Sequence, residues 1–213
     1  MDSYFIQKSD KTDKKNYRPI TVLNTVDKVF EQRLTNQVTE KIDHQFSTNT
    51  SAYRKRHSCE TALLKLIEDW KSALDNGQLV GIIYTDTSKA FDSVLPALLI
   101  RKLKAYNFTE DALALLRSYF EQRQGRVKLG TITSKWQNIR KGCPQGSCFG
   151  PLLWNIFQND LFFSINKCQL SMYADEHQLY LSESRTSDVE TTLNDQVQVA
   201  ATRYSDNFLL ANK

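Results

Sequence analysis

The chain has little of what bends, cross-links or anchors a protein. Seven glycines and four prolines in 213 residues exclude collagen-like and Gly/Pro-rich low-complexity chains. The four cysteines (Cys59, Cys143, Cys148, Cys168) form no Cys-x-x-Cys pair, and His44, His57 and His177 offer no zinc spacing. Neither a disulfide scaffold nor a zinc domain is spelled out. A reduced intracellular protein is the expectation, with nucleus and cytoplasm both left open. The N-terminus has no apolar signal core, and no apolar run approaches the ~20 residues of a membrane span. No membrane partner is expected, and oligomeric state is not legible.

Composition is that of a globular protein, with 40% hydrophobic and 24% charged residues. The length allows one domain or two small ones. The net charge of +4 is compatible with a nucleic-acid partner. Lys8, Lys11, Lys14, Lys15 and Arg18 crowd the N-terminus, and Arg54, Lys55, Arg56 and His57 form a second cluster. Both clusters read equally as solvated loops.

Apolar periodicity marks the elements. Val26, Val29, Phe30, Leu34, Val38 and Ile42 recur at helical spacing behind a cap at Asn24 or Thr25. Ser58 caps a second helix with Leu63, Leu66, Ile67, Trp70 and Leu74 on one stripe, stopped at Asn76-Gly77. Residues 79–85 read as a buried strand. Pro96 fits a first helical turn, and Thr109 opens the helix of Leu113, Leu116, Tyr119 and Phe120. Residues 126–129 and 136–140 flank Gly130 as a hairpin. Residues 142–146 form a loop, and 151–163 an apolar helix. Runs 169–172 and 178–181 make a second hairpin, and Asp188 caps a last helix. Strands and helices do not alternate strictly. The expectation is α+β, an antiparallel sheet with helices behind it.

Tyr173-Ala174-Asp175-Glu176 falls at the tip of that second hairpin, and the strand at 82–86 ends in Asp86. If the strands are neighbours, three carboxylates converge. Hard divalent cations take oxygen ligands of this kind, and paired ions in such a setting perform phosphoryl or nucleotidyl transfer.

These motifs, in their order, resemble the reverse transcriptase domain of LINE-type (non-LTR) retrotransposons. Asn16-Tyr17-Arg18-Pro19-Ile20 is similar to the family's early fingers motif, and Arg54-Lys55-x-x-Ser58 to its basic motif. Asp86-x-Ser88-Lys89-Ala90-Phe91-Asp92 and Tyr173-Ala174-Asp175 are similar to its two catalytic motifs. Pro144-Gln145-Gly146-Ser147 with Gly150-Pro151-Leu152 resembles its nucleotide loop. The resemblance implies a right-hand polymerase palm with partial fingers and no thumb. Residues 1–78 would be fingers, and 79–213 a palm with an inserted fingers segment. It implies RNA-directed DNA polymerase activity on an RNA template and DNA primer, with dNTPs and two Mg²⁺ ions (or Mn²⁺).

By the same resemblance, Asp86, Asp175 and Glu176 are the catalytic and metal residues. Phe91 excludes a 2′-hydroxyl. Gln145 and Gly146 approach the nucleotide, and Arg18 clamps its triphosphate with Lys15 assisting. Arg54 and Lys55 meet the template backbone. Asn212 and Lys213 resemble the start of the next palm motif.

The sequence also departs from the pattern. Glu176 replaces the usual second Asp, and Thr87 a usual Leu. Ala52-Tyr53 stand for Gly-Phe, Arg56 for a Gly, and Cys143 and Cys148-Phe149 for aliphatic residues. If position 56 needs a positive φ, Arg56 strains it. These departures, with an end at Lys213, fit a truncated or decayed copy. The alternatives are an inactive remnant that folds and binds nucleic acid, or another palm-like nucleotidyl transferase or cyclase.

Overall fold

The computed structural model describes residues 2–7, 17–129 and 131–211. Lys8, Lys11, Lys14, Lys15, Asn16, Gly130, Asn212 and Lys213, named above, lie outside the described residues. In chain order the elements are β1 (Asp2–Gln7), β2 (Tyr17–Val22), α1 (Thr25–Ile42), α2 (Cys59–Asp75), β3 (Leu79–Ser88), α3 (Ala90–Ser93), α4 (Pro96–Ala105) and α5 (Glu110–Phe120). Then come β4 (Gln124–Leu129), β5 (Ile132–Thr133), β6 (Gln137–Asn138), α6 (Gly150–Gln158), α7 (Leu161–Ser164), β7 (Gln169–Tyr173), β8 (Glu176–Glu183), α8 (Thr186–Asp206) and β9 (Leu210–Ala211). They fall into two compact units, 1–44 with 91–154 and 45–90 with 155–213. Helix α2 belongs to the same unit as the sheet that follows it: Tyr180 in β8 donates to Asp69 in α2 at 2.7 Å.

The first unit carries a sheet in the order β2-β1-β4-β5, with β6 also on β4. β1 pairs antiparallel with β2 and parallel with β4. The expected hairpin after α5 has a broken second arm, because β4 pairs separately with β5 and with β6. Helix α1 is capped by Asn24, whose side chain accepts from Asp27 N. Only part of its expected apolar stripe is inside: Leu34, Val38 and Ile42 are buried, whereas Val26, Val29 and Phe30 are exposed. Glu31 takes the inward position one turn before Leu34 and is buried.

The second unit is built on the antiparallel sheet β7-β8-β3-β9. Helix α8 packs on β3 and β8. Its approach depends on Gly81, where a Cβ would lie 2.2 Å from Val189 Cγ1. Leu170, Met172, Leu179, Val189 and Leu193 are buried, each contributing roughly 2 kcal/mol of apolar burial. Ser58 caps α2 through a capping box with Thr61, as its position suggested. Of the expected α2 stripe Leu66 is buried, while Leu63, Ile67 and Leu74 are exposed.

Two expected boundaries are corrected. The apolar run 151–163 is two helices, because the chain turns at Asn159-Asp160 and Asp160 pairs with Arg203 at 3.0 Å. Helix α8 starts at Thr186 rather than after Asp188, which sits in its first turn, where an acid favours the helix dipole.

Candidate active site

The hairpin carrying the acids is tight. Tyr173 pairs with Glu176, leaving Ala174 and Asp175 as a two-residue tip. Ala174 has φ 57, a left-handed conformation that costs a residue with a Cβ about 1–2 kcal/mol. In the β3–β8 ladder Asp86 lies opposite Glu176, and Thr87 N donates to Asp175 O at 3.3 Å. The backbone therefore brings positions 86, 175 and 176 together at one end of the sheet. Asp86 and Glu176 are exposed and Asp175 is half-buried.

Cross-strand partners share one face of a sheet, and like charges placed there repel. A divalent cation would offset that repulsion, and carboxylate oxygens are its preferred ligands. The three acids fit such an ion in chemistry and in register. Among the described residues, no three His, Cys, Asp or Glu side chains already stand as a metal-holding cluster.

Directly under the acids lies a buried polar chain. His177, opposite Thr85 in the ladder, bonds through Nδ1 to Tyr204 Oη at 2.7 Å and through Nε2 to Gln158 Oε1 at 2.9 Å. Gln158 Oε1 can only accept, so Nε2 carries the proton and Nδ1 accepts from Tyr204. Tyr204 Oη also lies 2.8 Å from Thr85 Oγ1. On the other side, Gln158 donates to Asn155 at 3.3 Å, and Asn155 donates to Ala52 O at 2.8 Å.

Burial lowers the His177 pKa from 6.5 to about 4. The folded state therefore resists a proton that the unfolded chain accepts. Stability is full above pH 6.5 and falls as the pH drops toward 4, by roughly 3 kcal/mol from this group. Urea midpoints measured across that range should show the slope, and a His177→Gln variant should flatten it.

Thr87 is the departure nearest the acids. It is 1% exposed, and among the described residues its hydroxyl has no hydrogen-bond partner. Thr87→Val should raise unfolding stability by about 1–2 kcal/mol by removing an unsatisfied buried hydroxyl. A lower urea midpoint would contradict this account.

The basic motif lies in the same unit. Ser51 N donates to Met172 O at 3.0 Å and Met172 N to Asn49 O at 2.9 Å, fastening residues 49–51 to β7. Arg54 Nη1 donates to Ser47 O at 2.8 Å and Thr50 O at 3.0 Å, with its guanidinium over the Phe46 ring. Its Nη1 thus holds its own loop, while Lys55 is exposed. Arg56 has φ 64, so the expected positive φ is present and an arginine bears it. Tyr53 lies close enough to the hairpin that burial, and then the charge of Asp175, raises its phenol pKa.

The nucleotide loop belongs to the first unit. Cys143 N donates to Phe91 O at 2.8 Å and Gly142 N to Val94 O at 2.7 Å. Gln145 Nε2 donates to both carboxyl oxygens of Asp92 at 3.3 Å. Phe91 and Gln145 are thereby brought together. The Phe91 ring is half-buried and packs on Trp154, centroids 5.8 Å apart. Gly146 has φ 103, and a Cβ there would lie 2.7 Å from Thr21 O, so its close approach is to β2. Arg18 lies in β2 opposite Ile6; its side chain is outside the described residues.

Sequence reading missed the group that fixes this loop. Glu31 accepts from Tyr119 Oη at 2.7 Å, Ser147 Oγ at 2.8 Å and Cys148 N at 2.8 Å. Ser147 Oγ in turn accepts from Phe149 N at 3.1 Å and Gly150 N at 2.9 Å. One buried carboxyl thus organises the start of α6. The available signal was an acid at the inward position of the α1 stripe. Asp92 closes the first catalytic motif but carried no role of its own there, and His177 shows no metal spacing.

Comparison with known proteins identifies the family. The profile of the family described as "Reverse transcriptase (RNA-dependent DNA polymerase)" matches residues 6–212, and the chain belongs to that family. Its relatives bear out the LINE-type resemblance. It is 28% identical over 200 residues to "Probable RNA-directed DNA polymerase from transposon BS" of Drosophila melanogaster, covering 87% of this chain and 21% of that protein. It is 27% identical over 148 residues to "RNA-directed DNA polymerase from mobile element jockey" of Drosophila funebris, covering 68% and 16%. The chain thus spans about a fifth or less of these relatives' length. The telomerase of Candida albicans, solved with a fragment of telomeric RNA, superposes with a TM-score of 0.67 at 12% identity, over 94% of this chain and 39% of that one. That likeness establishes the fold, α+β with the reverse transcriptase palm. The family uses a divalent metal. Among the described residues, no helix is long and apolar enough to cross a membrane.

Proposed function

We propose that this chain is the portion of a retrotransposon RNA-directed DNA polymerase that bears its catalytic acids and nucleotide loop. It extends a DNA primer 3′-hydroxyl with dNTPs on an RNA template, an intracellular task in nucleus or cytoplasm. The observation that carries the reading is the β3–β8 register, with Asp86 opposite Glu176 and Thr87 N bonded to Asp175 O. Residues 1–78 are assigned to fingers, and 79–213 to a palm with a fingers insertion.

Asp86 and Asp175 would hold two Mg²⁺ ions, with Glu176 a less direct ligand. When bound, the ions acidify the primer hydroxyl and neutralise charge on the triphosphate and pyrophosphate. Phosphoryl transfer needs little covalent help, so positioning falls to the chain's own residues. Phe91, backed by Trp154, would supply the ring that excludes a 2′-hydroxyl. Gln145, oriented by Asp92, presents its amide to the sugar or phosphate. Arg18 supplies a guanidinium suited to phosphate oxygens. Lys55, with less help from the loop-bound Arg54, meets the template backbone through salt-sensitive contacts.

Primer extension on an RNA template with Mg²⁺ or Mn²⁺ tests the reading. Template-dependent DNA product is expected; product independent of template would refute it and point to another nucleotidyl transferase. A second reading, an inactive remnant that binds nucleic acid, is favoured by Arg56 at φ 64, a conformation suited to glycine. Salt-sensitive RNA binding with neither extension nor saturable Mn²⁺ binding would select it.

A further inference from the structure

Strand β3 is more open than its sequence suggests. The apolar run at 79–84 reads as a buried strand, yet Leu79 is 46% and Tyr84 63% exposed, and residues 80–83 are half-buried. Its neighbour β8 is closed by comparison, with Leu179, Tyr180 and Leu181 buried. The difference lies at the outer edge of β3. Strand β9 covers that edge at Thr87 and Ser88, and among the described residues no strand pairs with 79–84 on it.

The ladder fixes which backbone groups face that edge. Thr87 N donates to Asp175 O, and the β3–β8 register runs unbroken from Asp86 opposite Glu176 to Leu79 opposite Glu183. Amide groups alternate sides along a strand. Residues 79, 81, 83 and 85 therefore address β8, and the N–H and C=O of Val80, Ile82 and Tyr84 point outward. Side chains alternate between faces. A Cβ on Gly81 would meet Val189 and Leu193 of α8, so Leu79, Gly81 and Ile83 lie on the α8 face, and Val80, Ile82 and Tyr84 on the other. Beside the edge runs an open groove of about 430 Å³, between residues 79–83 and Val189 and Leu193; Glu190 is the one charge in its described lining. Outward amides beside an apolar groove are the two parts of a strand-addition site.

We propose that this edge pairs with the same edge of a second copy of the chain, antiparallel about a two-fold axis at Ile82. Charge and register select this occupant. No residue from Asn76 to Thr85 is charged, so two copies meet without the charged side chains that keep natural sheet edges apart. In this register Ile82 meets the partner's Ile82 as a hydrogen-bonded pair. Val80 meets the partner's Tyr84, a β-branched–aromatic pair of the kind that stabilises a ladder. On the α8 face the partner's Ile83 falls opposite Gly81 and enters the groove beside Val189 and Leu193. The two-fold axis repeats each of these contacts. A seam of one short strand is smaller than the ~800 Å² per partner of a standard interface, so association in the micromolar range is expected. The pairing uses none of the acids at 86, 175 and 176 and stands apart from the polymerase reading.

Sedimentation velocity of the whole chain across the micromolar range tests the pairing, and cysteine cross-linking tests its register. A reversible dimer is expected, weakened at least tenfold by Ile82→Lys, which sets two like charges face to face at the axis. In a background of Cys59→Ser, Cys148→Ser and Cys168→Ser, Ile82→Cys should form an intermolecular disulfide with oxidised glutathione, because Cα atoms of a hydrogen-bonded pair lie about 5.5 Å apart. Tyr84→Cys alone should not, since the two copies of that position lie roughly 13 Å apart along the seam. Mixed with Val80→Cys it should cross-link. A monomer throughout the range overturns the proposal. So does a dimer unmoved by a folded Ile82→Lys, or one that cross-links as well through Tyr84→Cys alone as through Ile82→Cys. Should Ile82→Lys fail to fold, the cysteine series decides by itself.

Discussion

Asp86→Ala is expected to lower RNA-templated primer extension by at least about a thousandfold, some 4 kcal/mol of transition-state stabilisation, while leaving the protein no less stable. The two halves of this expectation come from different facts. The activity loss follows from removing a carboxylate that the proposed function assigns to the metal ions. The unchanged stability follows from the ladder. Asp86 is exposed and lies across from Glu176, and separating like charges on facing strands gains roughly 0.2–1 kcal/mol. A residue that merely packed the sheet would show the opposite pattern, with activity and melting temperature falling together. Asp86→Asn, which keeps the shape, should lose nearly as much activity. Mn²⁺ binding followed by electron paramagnetic resonance gives a readout independent of turnover, and Asp86→Ala should weaken it at least tenfold. Equal extension by wild type and variant would remove Asp86 from the chemistry.

The parts legible in the sequence were those written in local patterns. Ser58 and Thr109 announced helix starts because a side-chain oxygen next to an apolar repeat has one favourable use, and both cap as expected. The acidic hairpin was legible because two alternating runs flank a short polar tip. Arg56 could be read as a strained position because the motif it interrupts calls for glycine. Other features depend on partners distant in sequence. Val26 and Val29 follow the same periodicity as Leu34 and Val38, yet stay exposed, since a stripe does not say how much of it another element covers. Arg54 reads as a template-backbone contact by charge, and nothing near it in sequence tells that the carbonyls of Ser47 and Thr50 take its Nη1 protons. Glu31 and Ser147 are 116 residues apart, and nothing near either one names the other.

Glu31 carries the second large expectation. Glu31→Ala should cost about 3–5 kcal/mol, the scale for breaking a buried charged network. That is a fall of roughly 10 °C in melting temperature for a chain of this size. Its removal leaves the Tyr119 hydroxyl and the Cys148 amide without their acceptor, and it frees Ser147, whose oxygen holds the first amides of α6. Burial already raises the Tyr119 pKa, with Glu31 adding to the effect, so the phenol cannot escape by ionising. Glu31→Gln should cost less, because one oxygen still accepts, although its amide group faces donors. Tyr119→Phe separates the contributions: it removes one donor and leaves the bonds to Ser147 and Cys148 intact. If the carboxyl works as one unit, the Glu31→Gln/Tyr119→Phe cycle should show a coupling of about 1 kcal/mol or more. The damage should reach the nucleotide loop, because Ser147 N also donates to Pro144 O at 3.0 Å and Gln145 O accepts from Thr21 N at 2.8 Å. Hydrogen exchange at residues 144–150 should therefore rise in Glu31→Ala more than at the β3–β8 ladder. Stability within about 1 kcal/mol of wild type, or exchange raised evenly across both units, would show that this acid does not organise the loop.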